Sequence, residues 1–165
     1  MIPTVLVVGA SGSGKTTLIE RMVPVLRGRG LVVGTVKHAS RGFEVDQAGK
    51  DSARHFGAGS ATTLVVGPDE QVLFRRVAPE PLAALVARFF EGCDVVLAEG
   101  FSWELGPRVL VHRRGVVPKP LPAPDVVLLA VTDEPLGYRV EVRPDEVGAV
   151  VDAIVAHVDG RTDDG

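Results

Sequence analysis

Cysteine is nearly absent from this chain of 165 residues, with Cys93 as its single example. A lone cysteine cannot close a disulfide within the chain, and there is no Cys-x-x-Cys pair for zinc binding or redox chemistry. The four histidines show no metal-motif spacing either. We therefore expect neither a disulfide framework nor a zinc or nickel site.

Excess charge and long apolar runs are missing as well. The net charge is −3 and the pI is about 5.8, so no broad positive field attracts nucleic acid or an anionic membrane. No apolar run reaches the roughly 20 residues that cross a bilayer, and no signal peptide precedes the first apolar segment. These features predict a cytoplasmic protein with neither a nucleic-acid nor a membrane partner.

Lysine is scarce among the basic residues, because only four of the eighteen are lysine. Lys15, Lys37 and Lys50 fall in the two stretches that carry functional signals below. The compact ammonium of lysine binds phosphate as a point charge, a role that arginine does not simply replace. The placement favours phosphate binding, although coincidence remains an alternative for Lys37 and Lys50.

One stretch matches the phosphate-binding loop pattern G-x-x-x-x-G-K-[ST]. It begins at Gly9 and ends with Lys15-Thr16-Thr17. An aliphatic run at 4–8 precedes it, and apolar residues at helical spacing follow it, which is the strand–loop–helix context that the motif requires. A glycine-rich turn without chemistry is the alternative, which this context disfavours.

The chemistry of the loop follows from its residue types. Glycine lets successive N–H groups converge on one oxyanion, and the start of the helix adds its own N–H groups. Lys15 would reach the β- and γ-phosphates, and the Thr16 hydroxyl would ligate Mg²⁺. The predicted phosphate-binding residues are Gly9, Gly12, Ser13, Gly14, Lys15, Thr16 and Thr17.

The order of predicted elements is typical of an α/β protein. Strands are predicted at 4–8, 31–36, 94–98, 108–112 and 126–131, and a hairpin at 62–66 and 71–75. Helices are predicted after the loop, at 52–56, at 79–91 and from Pro144 to about His157. We expect a three-layer P-loop NTPase fold, mainly a parallel sheet with an added antiparallel β-hairpin. Residues 1–158 would form a single nucleotide-binding domain, and 159–165 a disordered tail.

Two acidic residues are candidates for the metal and for the attacking water. Glu99 follows a buried strand, so it would emerge at the carboxyl edge of the sheet and hold Mg²⁺ with Thr16. An ordinary strand-terminal carboxylate is the alternative. Asp46 lies in the region that closes over the γ-phosphate, where it would ligate Mg²⁺ through water or orient an attacking water. A helix cap or turn is an equal alternative for Asp46.

A second group of residues suggests another anion site. Its candidate members are Lys37, His38, Lys50, Ser52 and Arg54. Two cations and exposed N–H groups at a predicted helix start would attract an anion. Simple helix capping by Asp51-Ser52 is the alternative.

Base specificity is weakly indicated. Guanine readers of this fold use an acidic side chain after a late strand, and Asp133 has that location without the Asn and Lys that usually accompany it. Its carboxylate would accept from the guanine N1–H and N2–H₂ groups. The residues alone leave GTP and ATP both open.

Taken together, these segments resemble a known family, the molybdopterin-guanine dinucleotide biosynthesis protein B family. The segments that carry the resemblance are Gly14-Lys15-Thr16-Thr17-Leu18, Lys37-His38, Asp46, Gly49-Lys50-Asp51-Ser52, Ala58-Gly59, Leu97-Ala98-Glu99-Gly100-Phe101, Arg108-Val109-Leu110-Val111, Arg113 and Thr132-Asp133. The combination of phosphate loop, G-K-D-S and E-G-F is specific, whereas one element alone would not be.

The resemblance implies a GTP- and Mg²⁺-binding homodimer with weak GTPase activity. It would assist a partner, the molybdopterin guanylyltransferase, which attaches GMP to molybdopterin. Two alternatives remain open: a P-loop kinase that transfers the γ-phosphoryl group to a small molecule, and a nickel-delivery GTPase, which the lack of cysteine pairs and histidine clusters disfavours.

Overall fold

The structure is a computed structural model that describes residues 1–40, 42, 50–116 and 120–162. Residues 161 and 162 are described by their backbone only. It divides into two compact units, Met1–His38 with Pro81–Gly165, and Ala39–Glu80. Each unit is described by itself below. The assignment of 1–158 to one domain, with a disordered tail, stays a prediction.

The elements alternate between strands and helices along most of the chain. In chain order they are β1 Thr4–Val8, α1 Lys15–Gly28, β2 Val33–Lys37, α2 Asp51–Gly57, β3 Thr62–Val66, β4 Gln71–Arg75, α3 Leu82–Phe89, β5 Val95–Glu99, β6 Arg108–Val111, a 3-10 turn Pro124–Val126, β7 Val127–Val131, β8 Glu141–Val142 and α4 Val147–Thr162. None of these helices combines the length and the apolarity needed to cross a membrane, within the residues described.

The larger unit is built on one six-stranded sheet with the order β2-β5-β1-β6-β7-β8. All five neighbouring pairs are parallel. The strands β1 and β5 are aliphatic and buried nearly throughout, as expected for parallel strands covered on both faces. Because parallel strands end at the same edge, the loops after β1, β2 and β5 lie side by side there.

Helices cover both faces of this sheet. On one face, Met22 of α1 and Ile154 of α4 belong to the same fully buried cluster as Leu97. On the other, Leu82 and Val86 of α3 are buried in a cluster with strand side chains. The result is a helix–sheet–helix arrangement of three layers.

The smaller unit consists of α2 and the β3–β4 hairpin. The hairpin is antiparallel, with Leu64 opposite Leu73, and Gly67 N–H donates to the Glu70 carbonyl at 2.8 Å to close its turn. The ring centroids of Phe56 on α2 and Phe74 on β4 lie 6.0 Å apart. Side chains alternate along a strand, so Leu64 and Leu73 occupy the face opposite Phe74, and both are exposed.

The predicted fold class is confirmed: a mainly parallel sheet with an added antiparallel hairpin. The predicted bounds of β1, β3 and β4 agree with the structure. Helix α3 is shorter than predicted, because Pro81 adopts an extended ψ of 143° and the helix begins after it. The two-residue strand β8 was missed, since so short a strand leaves no alternation to detect.

The last helix also differs from the prediction. Pro144 lies in the turn before α4 instead of in its first helical turn, and the helix continues to Thr162. In this turn Arg143 N–H donates to Glu146 Oε2 at 2.7 Å, and Glu146 N–H donates to the Arg143 carbonyl at 3.0 Å. These reciprocal hydrogen bonds resemble a capping box, and they fix the conformation of the turn ahead of the helix.

Candidate nucleotide-binding site

The predicted phosphate loop connects β1 to α1 and depends on glycine conformations. Gly9, Gly12 and Gly14 have φ values of 147°, 79° and 99°, which other residues rarely adopt. The first i→i−4 bond of α1 runs from Leu18 N–H to the Gly14 carbonyl at 2.9 Å. The N–H groups that precede it therefore have no carbonyl one turn earlier, and they point out of the positive end of the helix.

Gly9 is required for a second reason, which is close packing. A Cβ atom there would lie 2.1 Å from the carbonyl oxygen of Val111 and 2.9 Å from Ser13 Oγ. No such contact is tolerated in a folded protein, so the loop can pass β6 only with glycine at this position. The Ser13 side chain thus lies on the β6 side of the loop, and Ser13 is only 5% exposed.

Lys15 folds back onto the start of the loop. Its Nζ donates to the carbonyl oxygens of Gly9 at 3.1 Å and Ala10 at 2.6 Å. These bonds hold a positive charge over the same loop whose N–H groups lie at the helix end. An ammonium and backbone N–H groups brought together in this way favour binding of a polyphosphate.

Thr16, Glu99 and Lys37 meet at the carboxyl edge of the sheet. Thr16 Oγ1 lies 3.0 Å from each carboxylate oxygen of Glu99. Lys37 Nζ lies 3.3 Å from Thr16 Oγ1 and 3.3 Å from Glu99 Oε2. The β2–β5 register places Lys37 directly beside Glu99, which explains how residues far apart in sequence converge. We call Thr16, Lys37 and Glu99 the edge cluster.

The edge cluster has the donors that Mg²⁺ prefers. A hydroxyl and a carboxylate are hard oxygen ligands, and in P-loop proteins the metal keeps additional water and phosphate ligands. Glu99 is 9% exposed, so its charge is nearly buried and is compensated by the Lys37 ammonium. The predicted pair Thr16 and Glu99 therefore fits a magnesium ion, whereas Asp46, the third predicted metal ligand, lies outside the described residues.

Sequence reasoning placed Lys37 in the second anion site and did not place it beside Glu99. The register of two parallel strands, both ending in charged residues, was the signal that could have shown the contact. His38 follows directly, and its ring packs edge-on against Trp103 at 4.7 Å and against Phe101 at 5.7 Å. Trp103 contacts the rings of His38 and Phe101 and is 58% exposed.

Asp133 lies after β7, where it makes a contact within the chain. Its Oδ1 accepts a hydrogen bond from the Arg114 backbone N–H at 2.8 Å. Beside it, His112 Nε2 lies 2.7 Å from Glu134 Oε1. The carboxylate of Asp133 is thus held between the loops that follow β6 and β7.

The other predicted anion-binding residues belong to the smaller unit. Lys50 occupies the N-cap position of α2 with an extended backbone and without a side-chain cap. Arg54 Nη1 lies 3.5 Å from Asp51 Oδ1, and both side chains are largely exposed. This exposed pair offsets part of the positive charge of Arg54. Ser52 lies in the first turn of the same helix.

The sequence and the fold both match known proteins. The model of the family "Molybdopterin guanine dinucleotide synthesis protein B", MobB, matches residues 4–134. The chain belongs to the MobB family. The resemblance drawn from the phosphate loop and the G-K-D-S and E-G-F segments is therefore confirmed.

Relatives of this MobB-family chain agree in sequence and in fold. The molybdopterin-guanine dinucleotide biosynthesis adapter protein of Haemophilus influenzae is 40% identical over 139 residues, which cover 82% of this chain and 77% of that protein. The Escherichia coli adapter protein is 33% identical over 146 residues, which cover 85% and 83%. A crystal structure of molybdopterin-guanine biosynthesis protein B superposes with a TM-score of 0.72 at 30% identity, covering 94% of this chain and 98% of that one.

Proposed function

We propose that this MobB-family chain binds GTP with Mg²⁺ and acts as an adapter in the attachment of GMP to molybdopterin. The edge cluster beneath the glycine loop is the single observation that carries the proposal. It brings a hydroxyl, a carboxylate and an ammonium together where the loop and the Lys15 ammonium would hold a triphosphate.

The roles follow from the contacts. The loop N–H groups and Lys15 bind the β- and γ-phosphates, for which Lys15 gives up its two carbonyl partners. Thr16 and Glu99 hold the magnesium ion, which neutralises phosphate charge when bound. Lys37 lies 3.3 Å from Thr16 Oγ1, close enough to contact the terminal phosphate from the side of β2.

Slow hydrolysis is a secondary part of the proposal. Asp46, from the sequence pattern, orients the attacking water, and binding matters more than turnover. Lys37, His38, Lys50, Ser52 and Arg54 are proposed to contact phosphorylated ligands, each from its own unit. Asp133 is proposed to read guanine, and the hydrogen bond that its Oδ1 accepts from the Arg114 N–H orients the carboxylate.

The proposal includes a homodimer in the cytoplasm and a molybdopterin guanylyltransferase as its partner. The apolar face of the hairpin supports dimerisation, because Leu64, Val66 and Leu73 are 54%, 64% and 44% exposed. Exposed apolar side chains that share one face are typical of protein contact surfaces. A second copy of the chain, with an identical face, is the occupant proposed here.

A nucleotide-affinity panel tests the proposal. The wild-type chain should bind GTP more tightly than ATP, and more tightly with Mg²⁺ than without it. Lys15→Ala should weaken binding of both nucleotides about a hundredfold, through loss of charge-assisted hydrogen bonds worth about 1.5–3 kcal/mol. Asp133→Ala should remove the preference for guanine, and Asp125→Ala, a matched exposed acid, should keep it.

Two results would contradict the proposal. Equal affinity for GTP and ATP in the wild type would remove the guanine assignment. Phosphorylation of an acceptor in a metabolite pool supplied with ATP or GTP would point instead to a P-loop kinase, because an adapter requires no acceptor.

A further inference from the structure

A cavity of about 290 Å³ lies on the other side of the phosphate loop from the edge cluster. Gly9, Ala10 and Ser13 form its loop side, and residues after β6 form the opposite side. Its lining includes none of Gly14, Lys15, Thr16, Lys37 and Glu99. We call this space the β6 cavity, and it shares only the first limb of the loop with the proposed phosphate site.

Most of the walls are apolar. They include Val8, Leu110, Val111, Val116 and Leu121. Small-molecule sites are typically apolar with a few polar groups, and their volumes run from roughly 300 to 1,000 Å³. The volume of the β6 cavity is at the lower end of that range. A cavity of this size fits one fused ring system better than a whole nucleoside triphosphate.

One residue in the wall of this cavity has a buried polar atom without a hydrogen-bond partner among the described residues. Ser13 is 5% exposed, and its Oγ makes no hydrogen bond to any residue that the structure describes. A hydroxyl left in this state costs free energy that a hydrogen-bonding ligand would recover. The phosphate role of the loop does not use this side chain, because it lies on the β6 side.

Arginine and histidine side chains line the same space. Arg108 Nη2 donates to the Glu104 carbonyl at 2.5 Å, and His112 is held by Glu134 at 2.7 Å. Arg113 forms no ion pair with any of the described residues and is exposed at the rim. A guanidinium at the rim of an apolar cavity favours a ligand whose ring is buried and whose anionic group stays near solvent.

We propose that the β6 cavity binds a second small molecule, a planar heteroaromatic ring that carries one anionic group. The ring lies between the apolar walls and accepts or donates a hydrogen bond at Ser13 Oγ, and Arg113 binds the anion. This inference rests on the proposed function in one respect, the choice of a pterin as the ring. Because Gly9, Ala10 and Ser13 line the cavity and also belong to the phosphate loop, the two ligands would be adjacent across the loop.

Fluorescence titration with pterin-6-carboxylate tests the proposal on the full chain saturated with a non-hydrolysable GTP analogue and Mg²⁺. GMP, uncharged 6-methylpterin and inorganic phosphate are the comparison ligands. Arg113→Glu should weaken pterin-6-carboxylate binding about tenfold or more, because it reverses the charge at the rim. Leu121→Trp should do the same by filling the cavity from an exposed position.

Matched controls separate these effects from general damage. Arg139→Glu is the same charge reversal at an exposed position outside the cavity, and Leu105→Trp is the same enlargement on another surface. Both should leave pterin-6-carboxylate affinity within about twofold. All four variants should bind the GTP analogue as the wild type does and should keep the thermal midpoint of the wild type. If Leu121→Trp does not fold, Arg113→Glu alone tests the inference.

Each remaining outcome counts for or against the β6 cavity. Absence of pterin-6-carboxylate binding, binding that occurs only when the GTP analogue is left out, or unchanged affinity in Arg113→Glu would overturn the inference. Tighter binding of GMP than of the pterin would identify a purine as the ring and retain the cavity. If the chain binds no GTP analogue but the pterin results hold, the proposed function fails and the cavity assignment stands.

Discussion

The two units of this chain treat their apolar side chains in opposite ways. In the larger unit, strands β1 and β5 and helices α1 and α4 bury valine, leucine and methionine almost completely. In the smaller unit, no residue of α2 or of either hairpin strand is buried. Leu64, Val66 and Leu73 even share an exposed face.

The larger unit has the apolar core that stabilises a fold, whereas the smaller unit has an apolar face that is typical of a contact surface. A six-stranded sheet covered on both faces has its own core, so the larger unit can position the phosphate loop without help. A two-stranded hairpin is marginal by itself in water and gains stability when its apolar face is covered. We therefore propose that the larger unit binds the nucleotide and that the exposed hairpin face of the smaller unit contacts a second copy.

The largest expected effect is on the core of the larger unit. Met22 is fully buried, so Met22→Ala should lower the free energy of unfolding by about 2–5 kcal/mol. In the monomer, Leu73→Ala in the hairpin should cost less than about 1 kcal/mol, because Leu73 is 44% exposed when no second copy covers it. Urea unfolding of both variants at chain concentrations below those of dimerisation measures the contrast, and equal losses there would mean that the hairpin face is covered within the monomer itself.

The second effect is on association. Leu64→Glu would place a charge on the apolar hairpin face and should weaken the dimer about a hundredfold, since a buried unpaired charge costs several kcal/mol. Val77→Glu, an apolar position of similar exposure beyond the end of β4, is the matched control. Light scattering over a concentration series measures the dimer, and a GTP titration should remain unchanged. A Leu64→Glu chain that dimerises like the wild type would remove the hairpin from the interface.

A smaller effect is expected at the edge cluster. Glu99→Gln keeps the hydrogen bond from Thr16 but removes the charge, so the gain in GTP affinity on adding Mg²⁺ should fall about tenfold. Glu91→Gln, an exposed acid of the same unit, should retain the full gain. Isothermal titration with and without Mg²⁺ measures both. An unchanged gain in Glu99→Gln would place the metal elsewhere.

The smallest effect concerns Glu141 in β8. The backbone N–H of Tyr138 and those of Leu136 and Gly137 hold the pKa of this carboxyl below its usual 4.5, against a smaller opposing effect of desolvation. A lowered pKa in the folded state stabilises it above the unfolded pKa, and this contribution is lost as pH falls through the folded pKa.

Glu141→Gln should therefore be less stable than the wild type at pH 7, and the difference should shrink as pH falls below about 4.5. Thermal midpoints between pH 3 and 7 measure this trend, with Glu104→Gln as the control for general acid sensitivity. A difference that is constant with pH would show that the hydrogen bonds do not depend on the charge.

Local patterns were the part of the fold that could be predicted well. The bounds of β1 and of the hairpin followed from aliphatic runs and from the Gly67-Pro68 turn. Prediction was weaker where neighbours decide the outcome. Helix α3 begins only at Leu82, and β8 exists because β7 offers an edge to pair with.

The candidate site divides in the same way. Thr16 and Glu99 were expected to meet, because a P-loop threonine and a strand-end acid share one edge of the sheet. The contact of Lys37 with both was not expected, because it depends on the β2–β5 register. The turning of Ser13 Oγ toward β6 was also not expected, since it depends on where Val111 lies.

The sequence by itself determined the phosphate loop and its family, because glycine conformations and the N–H groups of a helix start are local properties of a few adjacent residues. The tertiary structure alone decided the edge cluster and the β6 cavity. Glu99 of β5 meets Thr16, 83 residues earlier in the chain, and Lys37 of β2 in the edge cluster, and the β6 cavity joins the loop after β1 to β6. These segments meet only through the sheet order β2-β5-β1-β6. Such contacts are a property of register and packing, which no short segment encodes.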